Sequence, residues 1–408
     1  MSYSEKIRVA FLVPFAGMSG AEINIDYLLQ AMPKAEFDVD LIAPPAQPLI
    51  QVARKLGWTT CVKIFPNFVS TSIEIAGTRI LNPLAVAHDL FVVIRVALWL
   101  SQYVRQHQIQ ILYTGAITPH LVGILSGLMQ PRLQLIVHLQ TIISPRLAGG
   151  LGRAFFSRVV RRAARVVAVS KAVAETLPPS DRVVLVYNGA DIAAYEAIET
   201  STLRQELNIP ANQPLIGVIG RLTPWKGHRV FLDAAAKLVQ KGLPGHFIVV
   251  GDDVDPISGR SQYRPLLEDY AKTLGIQDRV TFTGFRKDIP NVMRGLDILV
   301  IPSLRPDPSP LVTVEGLASG IPVVGSNSGG IAEVILDGKT GRLFPPGDSL
   351  ALATILDDLI SQPALRVEYG KAGLKRAKTD FAVERYTSAL IDMFRQVSGD
   401  SARAGKSQ

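Results

Sequence analysis

The chain has 408 residues, of which 48% are hydrophobic and 19% charged. This composition is typical of globular proteins and excludes disordered and fibrous classes, and the length suits two sizeable domains. One cysteine, Cys61, excludes an intramolecular disulfide and agrees with a reducing compartment, so we expect a cytoplasmic protein. The net charge of +8 is uneven, because ten Lys or Arg and no Asp or Glu lie between Leu90 and Ala174. Such a field attracts anionic partners, although a solvated face is the alternative.

Two apolar stretches raise the question of a membrane. The N-terminal run IRVAFLVPF is short for a signal peptide and has no small-x-small cleavage site, so it predicts a buried first strand. Leu84–Leu100 is the best candidate for a span, but His88, Asp89 and Arg95 interrupt it. A span needs about 20 mostly apolar residues. We therefore expect a core helix here.

Short apolar runs alternate with helical patterns along the whole chain. The predicted strands are IRVAFLVP, DVDLIAP, IQILYTG, LQLIVHL, RVVAVS and RVVLVYN in the first half, and PLIGVIG, HFIVVGD, RVTFTG, ILVIPS and PVVGS in the second. Most are continuous rather than alternating, which indicates strands covered by helices on both faces. The alternation predicts an α/β protein with two doubly wound parallel-sheet domains.

The boundaries follow from breaks in this alternation. We predict a first domain over 1–190 and a linker over 191–213, because that segment carries no strand and ends in a polar, Pro-containing stretch. A second domain covers 214–380. A final helix covers 381–397, and the small, polar tail 398–408 is expected to be disordered.

The stretch RPDPSPLVTVEGLASG begins at Arg305 and combines two acids with three prolines. The prolines exclude a helix before residue 310. Ser309 is a good N-cap, Pro310 suits the first helical position, and the helix should end near Gly320.

This arrangement separates the two acids. Asp307 lies on the loop at the helix mouth and Glu315 about a turn and a half inside, so they cannot form a carboxylate dyad on one helical face. A ligand lying across the first turn would find N–H groups for phosphate and carboxylates for hydroxyls, a combination that suits a sugar nucleotide. The alternative is a turn Asp and a solvated Glu. The residues that would line the ligand at this turn are Ser309, Pro310, Leu311 and Val312.

Two further loops support the ligand. GRLTPWKG follows a predicted strand and holds Arg221 and Lys226, cations that can neutralise a diphosphate leaving group at a strand's carboxyl end. Routine surface cations are the alternative. SNSGGIAEVI places Gly329 and Gly330 before a helix, where backbone amides can approach a ligand closely or simply form a turn.

The first half offers weaker candidates. Ser19 and Gly20 stand between the first strand and helix and can present amides to phosphate. No GxGxxG follows a strand, which removes the main support for a nicotinamide site. His138 ends the strand LQLIVHLQ and either contacts a transferred sugar or is a hydrogen-bonded structural histidine.

One pattern is expected to be a decoy. Asp253-Val254-Asp255 spells the D-x-D metal motif, but no His or Glu cluster supports it, so we expect no metal and no cofactor. The helix predicted over Leu151–Arg165 is amphipathic. Its arginines at 158, 161, 162 and 165 suit an anionic membrane surface, but an ordinary surface helix is favoured, and no aromatic interleaving supports nucleic-acid binding.

Taken together, the motifs resemble glycosyltransferase family 4, in the retaining GT-B class. The resemblance covers nearly the whole chain and is most specific from Gly220 to Asp348. In order along the chain, the matching motifs are SGAE, VAVSKAVAETL, VYNGAD, GRLTPWKG, GFRKDIPNVMRGLDILVIPS, D-x7-E and GGIAEVILDGKTGRLFPPGD. The resemblance implies two facing Rossmann-like domains, with the donor held mainly by the second and the last helix returning to the first.

The resemblance also implies residue roles. Arg221 and Lys226 would bind the donor diphosphate, and Glu315 would bind the ribose hydroxyls. Asp307 takes the place of the family's first glutamate, in a DPSP rather than an EPFG-like context, near the sugar hydroxyls. His138 would lie beside the sugar.

The same resemblance implies contacts that the motifs above did not suggest. Gly20 would offer an amide to the phosphate, with Ser19 in place of the usual first glycine. The backbone at Gly284, Phe285 and Arg286 would contact the base.

The predicted activity is metal-independent transfer of a sugar, with retention, from a nucleotide-diphosphate sugar to a hydroxyl of a saccharide or lipid-linked acceptor. Peripheral association with an anionic membrane surface is part of this hypothesis, and nucleic acid is not an expected partner. Two alternatives stay open: an epimerase acting on a nucleotide-linked sugar, and a non-catalytic nucleotide-sugar-binding protein.

Overall fold

The computed structural model describes residues 6–14, 17–63, 72–75, 78–143, 151–253 and 262–405. The chain divides into two compact units. Unit 1 consists of Met1–Val169, Val173–Val186 and Thr387–Gln408. Unit 2 consists of Ser170–Ala172 and Tyr187–Tyr386.

The first half of the chain alternates strands with helices. Its strands are β1 (Ile7–Leu12), β2 (Phe37–Ala43), β3 (Thr59–Val62), β4 (Ser72–Ile75), β5 (Thr78–Leu81), β6 (Ile111–Thr114), β7 (Gln134–Leu139), β8 (Arg165–Ala168) and β9 (Val183–Leu185). Its helices are α1 (Gly20–Ala31), α2 (Leu49–Lys55), α3 (Pro83–Gln106), α4 (Ile117–Met129), α5 (Leu151–Arg162) and α6 (Lys171–Ala174).

Unit 1 is built on a seven-stranded parallel sheet in the order β3-β2-β1-β6-β7-β8-β9, and β4 and β5 form a separate antiparallel pair. One core cluster joins the apolar faces of α3, α4 and α5 to strands β6 to β8. Continuous burial of β6 and β7 explains why the sequence shows unbroken apolar runs at these strands.

The second half repeats the alternation. Its strands are β10 (Leu215–Ile219), β11 (His246–Val250), β12 (Val280–Gly284), β13 (Ile298–Ile301), β14 (Val323–Ser326) and β15 (Gly341–Phe344). Its helices are α7 (Ile192–Glu196), α8 (Leu203–Glu206), α9 (His228–Gln240), α10 (Tyr263–Thr273), α11 (Ile289–Gly295), α12 (Leu311–Ala318), α13 (Ile331–Val334), α14 (Ser349–Ser361), α15 (Pro363–Asp380) and α16 (Val383–Gly405).

Unit 2 contains a six-stranded parallel sheet in the order β12-β11-β10-β13-β14-β15. The strand order reverses between β10 and β13, as it does between β1 and β6 in unit 1. Ligands of doubly wound sheets bind beyond the carboxyl ends of the strands at such a switch point. In unit 2 these ends carry the loops that hold Lys226 and Asp307.

Two predicted boundaries are wrong. The segment 191–213 is not a linker, because it forms α7 and α8 and buries Ile192, Tyr195, Leu203 and Ile209 in the core of unit 2. The tail beyond Val397 continues as helix α16 to Gly405, so the prediction of disorder is wrong over 398–405, and 406–408 lie outside the described residues.

The last helix belongs mostly to unit 1. From Thr387 onward it is grouped with that unit, where Phe394 packs edge-on against Phe11 with ring centroids 6.1 Å apart. Arg395 pairs with Glu36 at 2.9 Å. This membership agrees with the return of the last helix that the resemblance implies.

Helix α3 is the feature that could be mistaken for a span. Among the described residues it is the one helix long and apolar enough to cross a membrane, a test that a core helix also passes. Val93, Val96, Ala97 and Leu100 on one face are buried in the core of unit 1. This agrees with the predicted core helix.

Candidate functional site

The loops after β10 and β13 are joined through their backbones. The Leu304 N–H donates to the Trp225 carbonyl at 2.8 Å, and Gly227 adopts φ +75° against the end of β13. A Cβ at Gly227 would lie 1.8 Å from the Pro302 carbonyl oxygen. Glycine is therefore required here both by backbone conformation and by the close approach of the two loops.

We expect Gly227→Ala to destabilise the protein by more than about 3 kcal/mol, because the new methyl group must push the two loops apart. Gly242 has nearly the same conformation, φ +74°, but nothing lies within 4 Å of its missing Cβ. Gly242→Ala should therefore lower the free energy of unfolding by only about 1 kcal/mol, the strain of a non-glycine residue in the left-handed conformation. Urea unfolding of both variants checks this, and equal losses would show that loop contact at Gly227 contributes nothing.

Lys226 and Asp307 meet where these loops join. The Lys226 Nζ donates to Asp307 Oδ2 at 2.6 Å and lies 4.4 Å from the centre of the Trp225 ring. The Asp307 side chain is only 6% exposed and the Lys226 side chain 22%. Ser303 Oγ is a second, longer partner of Asp307 Oδ2 at 3.5 Å. The structure thus brings together two predicted site residues that are 81 positions apart.

The loop of Asp307 is fixed by its neighbours. The Gly330 N–H donates to the Asp307 carbonyl at 2.8 Å, and a Cβ at Gly329 would lie 2.4 Å from that oxygen. Asn188 Nδ2 donates to the Ser309 carbonyl at 3.0 Å. The tandem glycines therefore let two backbone segments pack closely. The sequence alone did not decide between a turn of this kind and an approach to a ligand.

Helix α12 begins one residue later than predicted. Its N-cap is Pro310 in an extended conformation, φ −68° and ψ 118°, with no side-chain cap, so the assignment of Ser309 as N-cap is wrong. The first-turn amides of Leu311 and Val312 thus lack a capping side chain and suit an anion. Gly320, at φ +69°, follows the helix end as predicted.

Glu315 lies inside this helix and is not a solvated surface acid. It is half-buried, and burial raises the pKa of its carboxyl to about 7, while a hydrogen bond from the Tyr195 hydroxyl acts in the opposite direction. Tyr195 lies on α7, is 7% exposed, and belongs to the segment predicted as a linker. The site therefore holds a carboxyl that changes charge near neutral pH.

The remaining candidate residues of unit 2 differ in whether their side chains are exposed and can contact a ligand. Arg221 is exposed on the same loop as Lys226, and Phe285 is 68% exposed at the end of β12. The Arg286 guanidinium is committed to Asp288 at 2.6 Å and Glu206 at 2.8 Å. Its side chain is thus structural, and only its backbone suits the predicted base contact.

In unit 1 the two predicted amides differ. The Ser19 N–H donates to Glu22 Oε2 at 2.9 Å, and its contact with phosphate stays a prediction. Gly20 begins the twelve-residue helix α1, and first-turn N–H groups have no helical partner.

His138 is fully buried at the end of β7, with its Nδ1 bonded to the Tyr113 hydroxyl. Burial lowers the pKa of His138 to about 3, and that of the neighbouring His120 likewise. The imidazole is therefore neutral and shielded. This geometry favours the structural alternative and gives no support to contact with a transferred sugar.

The structure describes Asp253 of the D-x-D pattern and the amphipathic helix α5. Asp253 Oδ2 accepts the Gln262 N–H at 3.0 Å just before α10, whereas Asp255 lies outside the described residues. Within the described ranges no cluster of three His, Cys, Asp or Glu is placed to hold a metal ion. Helix α5 ends at Arg162, with Arg165 on β8, and buries Phe156, Val159 and Val160, as an ordinary surface helix does.

Sequence reasoning missed one acid of this region. Glu333 on α13 accepts the N–H groups of Lys171 and Ala172, both at 2.8 Å, and the Tyr187 hydroxyl at 2.8 Å. Its carboxylate thus ties residues 170–172 to the body of unit 2. The signal was present in the motif GGIAEVI, where an acid follows the tandem glycines.

Comparison with known proteins adds family and fold. The family model described as glycosyl transferases group 1 matches residues 199–376, and that described as Glycosyltransferase Family 4 matches residues 18–194. The D-inositol 3-phosphate glycosyltransferase of Corynebacterium efficiens is 31% identical over 207 residues, covering 48% of this chain and 47% of the relative. The match thus spans about half the length of this curated relative.

Solved structures match along nearly the whole chain. Anabaena Alr3699/HepE, in complex with UDP and glucose, has a TM-score of 0.77 and 24% identity, covering 96% of this chain and 100% of that one. A glycosyltransferase from Rickettsia africae has a TM-score of 0.79 and 19% identity, covering 97% and 99%. Both likenesses concern the fold. Since the two family models together match residues on both sides of the unit boundary, the chain belongs to glycosyltransferase family 4 and has the GT-B fold.

Proposed function

We propose that this chain is a retaining, metal-independent glycosyltransferase that moves a sugar from a nucleotide-diphosphate sugar to a hydroxyl of a saccharide or lipid-linked acceptor. The observation that carries the proposal is the Lys226–Asp307 pair at the switch point of unit 2, beside the uncapped first turn of α12. A cation and amides suit the diphosphate, and carboxylates suit hydroxyls. The Anabaena relative, solved with UDP-glucose, supports a nucleotide-sugar donor.

Each part of the donor has a candidate partner. Lys226 has three N–H donors, of which Asp307 occupies one, so the others remain for the diphosphate together with exposed Arg221. The Glu315 carboxylate accepts hydrogen bonds from the ribose hydroxyls, and the Asp307 carboxylate accepts one from a hydroxyl of the transferred sugar. The exposed ring of Phe285 offers a face on which a base can stack.

The proposed reaction is a front-face substitution. The bond from the anomeric carbon to the diphosphate oxygen breaks while the acceptor oxygen bonds to the same face of that carbon. The acceptor proton passes to the leaving phosphate, so no protein base is needed. Negative charge grows on that phosphate, and Lys226, Arg221 and the first turn of α12 stabilise it most in the transition state.

The acceptor and the location are part of the proposal. The acid-free stretch from Leu90 to Ala174 suits an acceptor or a surface that carries negative charge. We propose a cytoplasmic protein associated peripherally with an anionic membrane surface.

A screen of UDP-, GDP- and ADP-sugars by thermal shift and by hydrolysis tests the function. One donor should stabilise the protein and be hydrolysed slowly without an acceptor, at full rate in excess chelator. Conversion to an epimer would indicate the epimerase instead, and binding without turnover on any acceptor would indicate a non-catalytic binder. If the rate vanished in chelator and returned with a divalent ion, metal independence would be wrong.

The pH dependence of donor binding tests the contact between Tyr195 and Glu315. The hydroxyl stabilises the ionised carboxylate, so Tyr195→Phe should raise the pKa of Glu315 further above its usual value. The acidic limb of donor affinity against pH then moves up by about one pH unit. Tyr270→Phe, which removes a comparable bond to Asp233 on α9, is the matched control. An unmoved limb in Tyr195→Phe would remove Glu315 from donor binding.

A further inference from the structure

Helix α3 presents an apolar stripe to solvent. The side chains on this stripe are between 44% and 80% exposed, whereas the opposite face of the helix is buried in the core of unit 1. Surface helices normally turn polar residues outward. A contiguous exposed apolar patch indicates an interaction site. The stripe consists of Leu84, Leu90, Phe91, Ile94 and Leu98.

The exposed side of α3 carries the positive charges of Arg95 and Arg105. Arg95 is exposed within the stripe, and the one acid of α3, Asp89, is 7% exposed and bonded to His88. No acid follows until after Ala174. The exposed face of α3 therefore carries cations and apolar side chains but no negative charge.

The neighbouring helices extend this surface. Ser126 Oγ of α4 donates to the Ala97 carbonyl of α3 at 3.1 Å, and Arg162 of α5 donates to the Gly127 carbonyl at 2.8 Å. Leu128 and Met129 at the end of α4 are 60% and 40% exposed. Among the α5 residues whose burial the structure describes, the exposed arginines are Arg158, Arg161 and Arg162. The outer faces of these three helices form what we call the α3–α5 surface.

We propose that the α3–α5 surface docks unit 1 on an anionic lipid bilayer, with the apolar stripe at the boundary of headgroups and acyl chains and the arginines on lipid phosphates. This deepens the membrane association proposed above by naming the surface, and it is independent of donor chemistry. Apolar side chains and cations on one face are the features that interfacial binding requires.

Three other occupants fit less well. A second copy of this chain would bring acid-free cationic surfaces together, which like-charge repulsion opposes. Nucleic acid would satisfy the arginines but not the apolar stripe. A membrane-spanning α3 would have to leave the core, where Val93, Val96 and Leu100 are buried.

Co-sedimentation with phosphatidylcholine vesicles, with and without phosphatidylglycerol, tests the proposal on the full chain without any nucleotide sugar. We expect at least about tenfold tighter binding to the anionic vesicles, since each arginine near such a surface contributes about fivefold. Phe91→Glu and Leu98→Glu should each weaken that binding about tenfold or more. Arg158→Glu with Arg161→Glu should remove most of the preference for phosphatidylglycerol.

Matched controls lie on unit 2, where Leu266 and Leu350 are 58% and 66% exposed. Leu266→Glu and Leu350→Glu should bind vesicles as the parent protein does, and thermal unfolding verifies that every variant is folded. Equal binding to both kinds of vesicle, or parental binding by Phe91→Glu and Leu98→Glu, would overturn the proposal. The proposal would also be overturned if light scattering showed a dimer and Leu98→Glu dissociated that dimer without changing vesicle binding. Donor binding measured on the same variants should be unchanged, so failure here is separable from failure of the proposed reaction.

Discussion

Lys226→Ala should lower the turnover number for the donor by at least about tenfold, because the variant lacks the cation nearest to the proposed leaving phosphate. The ammonium group is held by Asp307 at 2.6 Å and by the Trp225 ring, so its position is fixed before the donor binds. A pre-positioned charge stabilises the transition state without reorganisation. Turnover with saturating donor measures the effect, and unchanged turnover in the folded variant would remove Lys226 from the mechanism.

The same substitution should also lower stability. Asp307 is buried, and removal of its partner leaves a buried carboxylate without its cation, at a cost of about 3 kcal/mol. In the double variant Lys226→Ala/Asp307→Ala most of this loss should be recovered, while activity stays low. The double variant therefore shows whether low turnover in Lys226→Ala comes from the missing cation or from unfolding of the protein.

A surface pair provides the matched control. Lys241 pairs with Asp357 at 3.1 Å, and the lysine side chain is 60% exposed. Lys241→Ala should change stability by less than about 1 kcal/mol and leave turnover unchanged. If Lys241→Ala and Lys226→Ala lowered turnover equally, the effect of Lys226 would be a general effect of lost charge.

Central strands were easier to predict from sequence than edge strands. All five runs predicted as strands in the second half form β10 to β14. Four of them are central strands of the sheet, with both faces covered and continuous apolar runs, and the fifth, β12, is an edge strand. The edge strands β3 and β15, Thr59–Val62 and Gly341–Phe344, were missed. Each is four residues long and partly exposed, so its apolar signal is weak.

Site residues divide along a similar line. Lys226 and Asp307 were predictable, because Gly and Pro fix them on loops after strands, and the switch point brings such loops together. The contact between Tyr195 and Glu315 was not predictable. It depends on packing of α7 against α12, and α7 lies in the segment 191–213, which the sequence pattern indicates to be a linker. The bond between His138 and the Tyr113 hydroxyl on β6 likewise depends on strand pairing and not on local sequence.

At pH 8, Glu315→Gln should raise the free energy of unfolding and weaken donor binding. The pKa of the Glu315 carboxyl is raised by burial from 4.5 to about 7, so the folded state binds its proton more tightly than the unfolded state does. The stabilisation from the protonated form is fully present below about pH 4.5 and is lost as pH rises through 7. A neutral glutamine avoids that loss. The variant should therefore match the parent near pH 4.5 and exceed it at pH 8 by up to about 3 kcal/mol in unfolding free energy.

Donor affinity should change in the opposite sense and over the same pH range. At pH 8 the ionised carboxylate makes charge-assisted bonds to ribose hydroxyls, and glutamine makes weaker neutral ones, so the variant should bind donor about tenfold more weakly. At pH 6 the parent carboxyl is largely protonated, and the difference should shrink. Urea unfolding and donor titration at both pH values measure the two effects, with Glu368→Gln on the exposed face of α15 as the control that should change neither. A stability gain at pH 8 with donor affinity unchanged would mean that Glu315 is a buried acid of the fold and not a donor ligand.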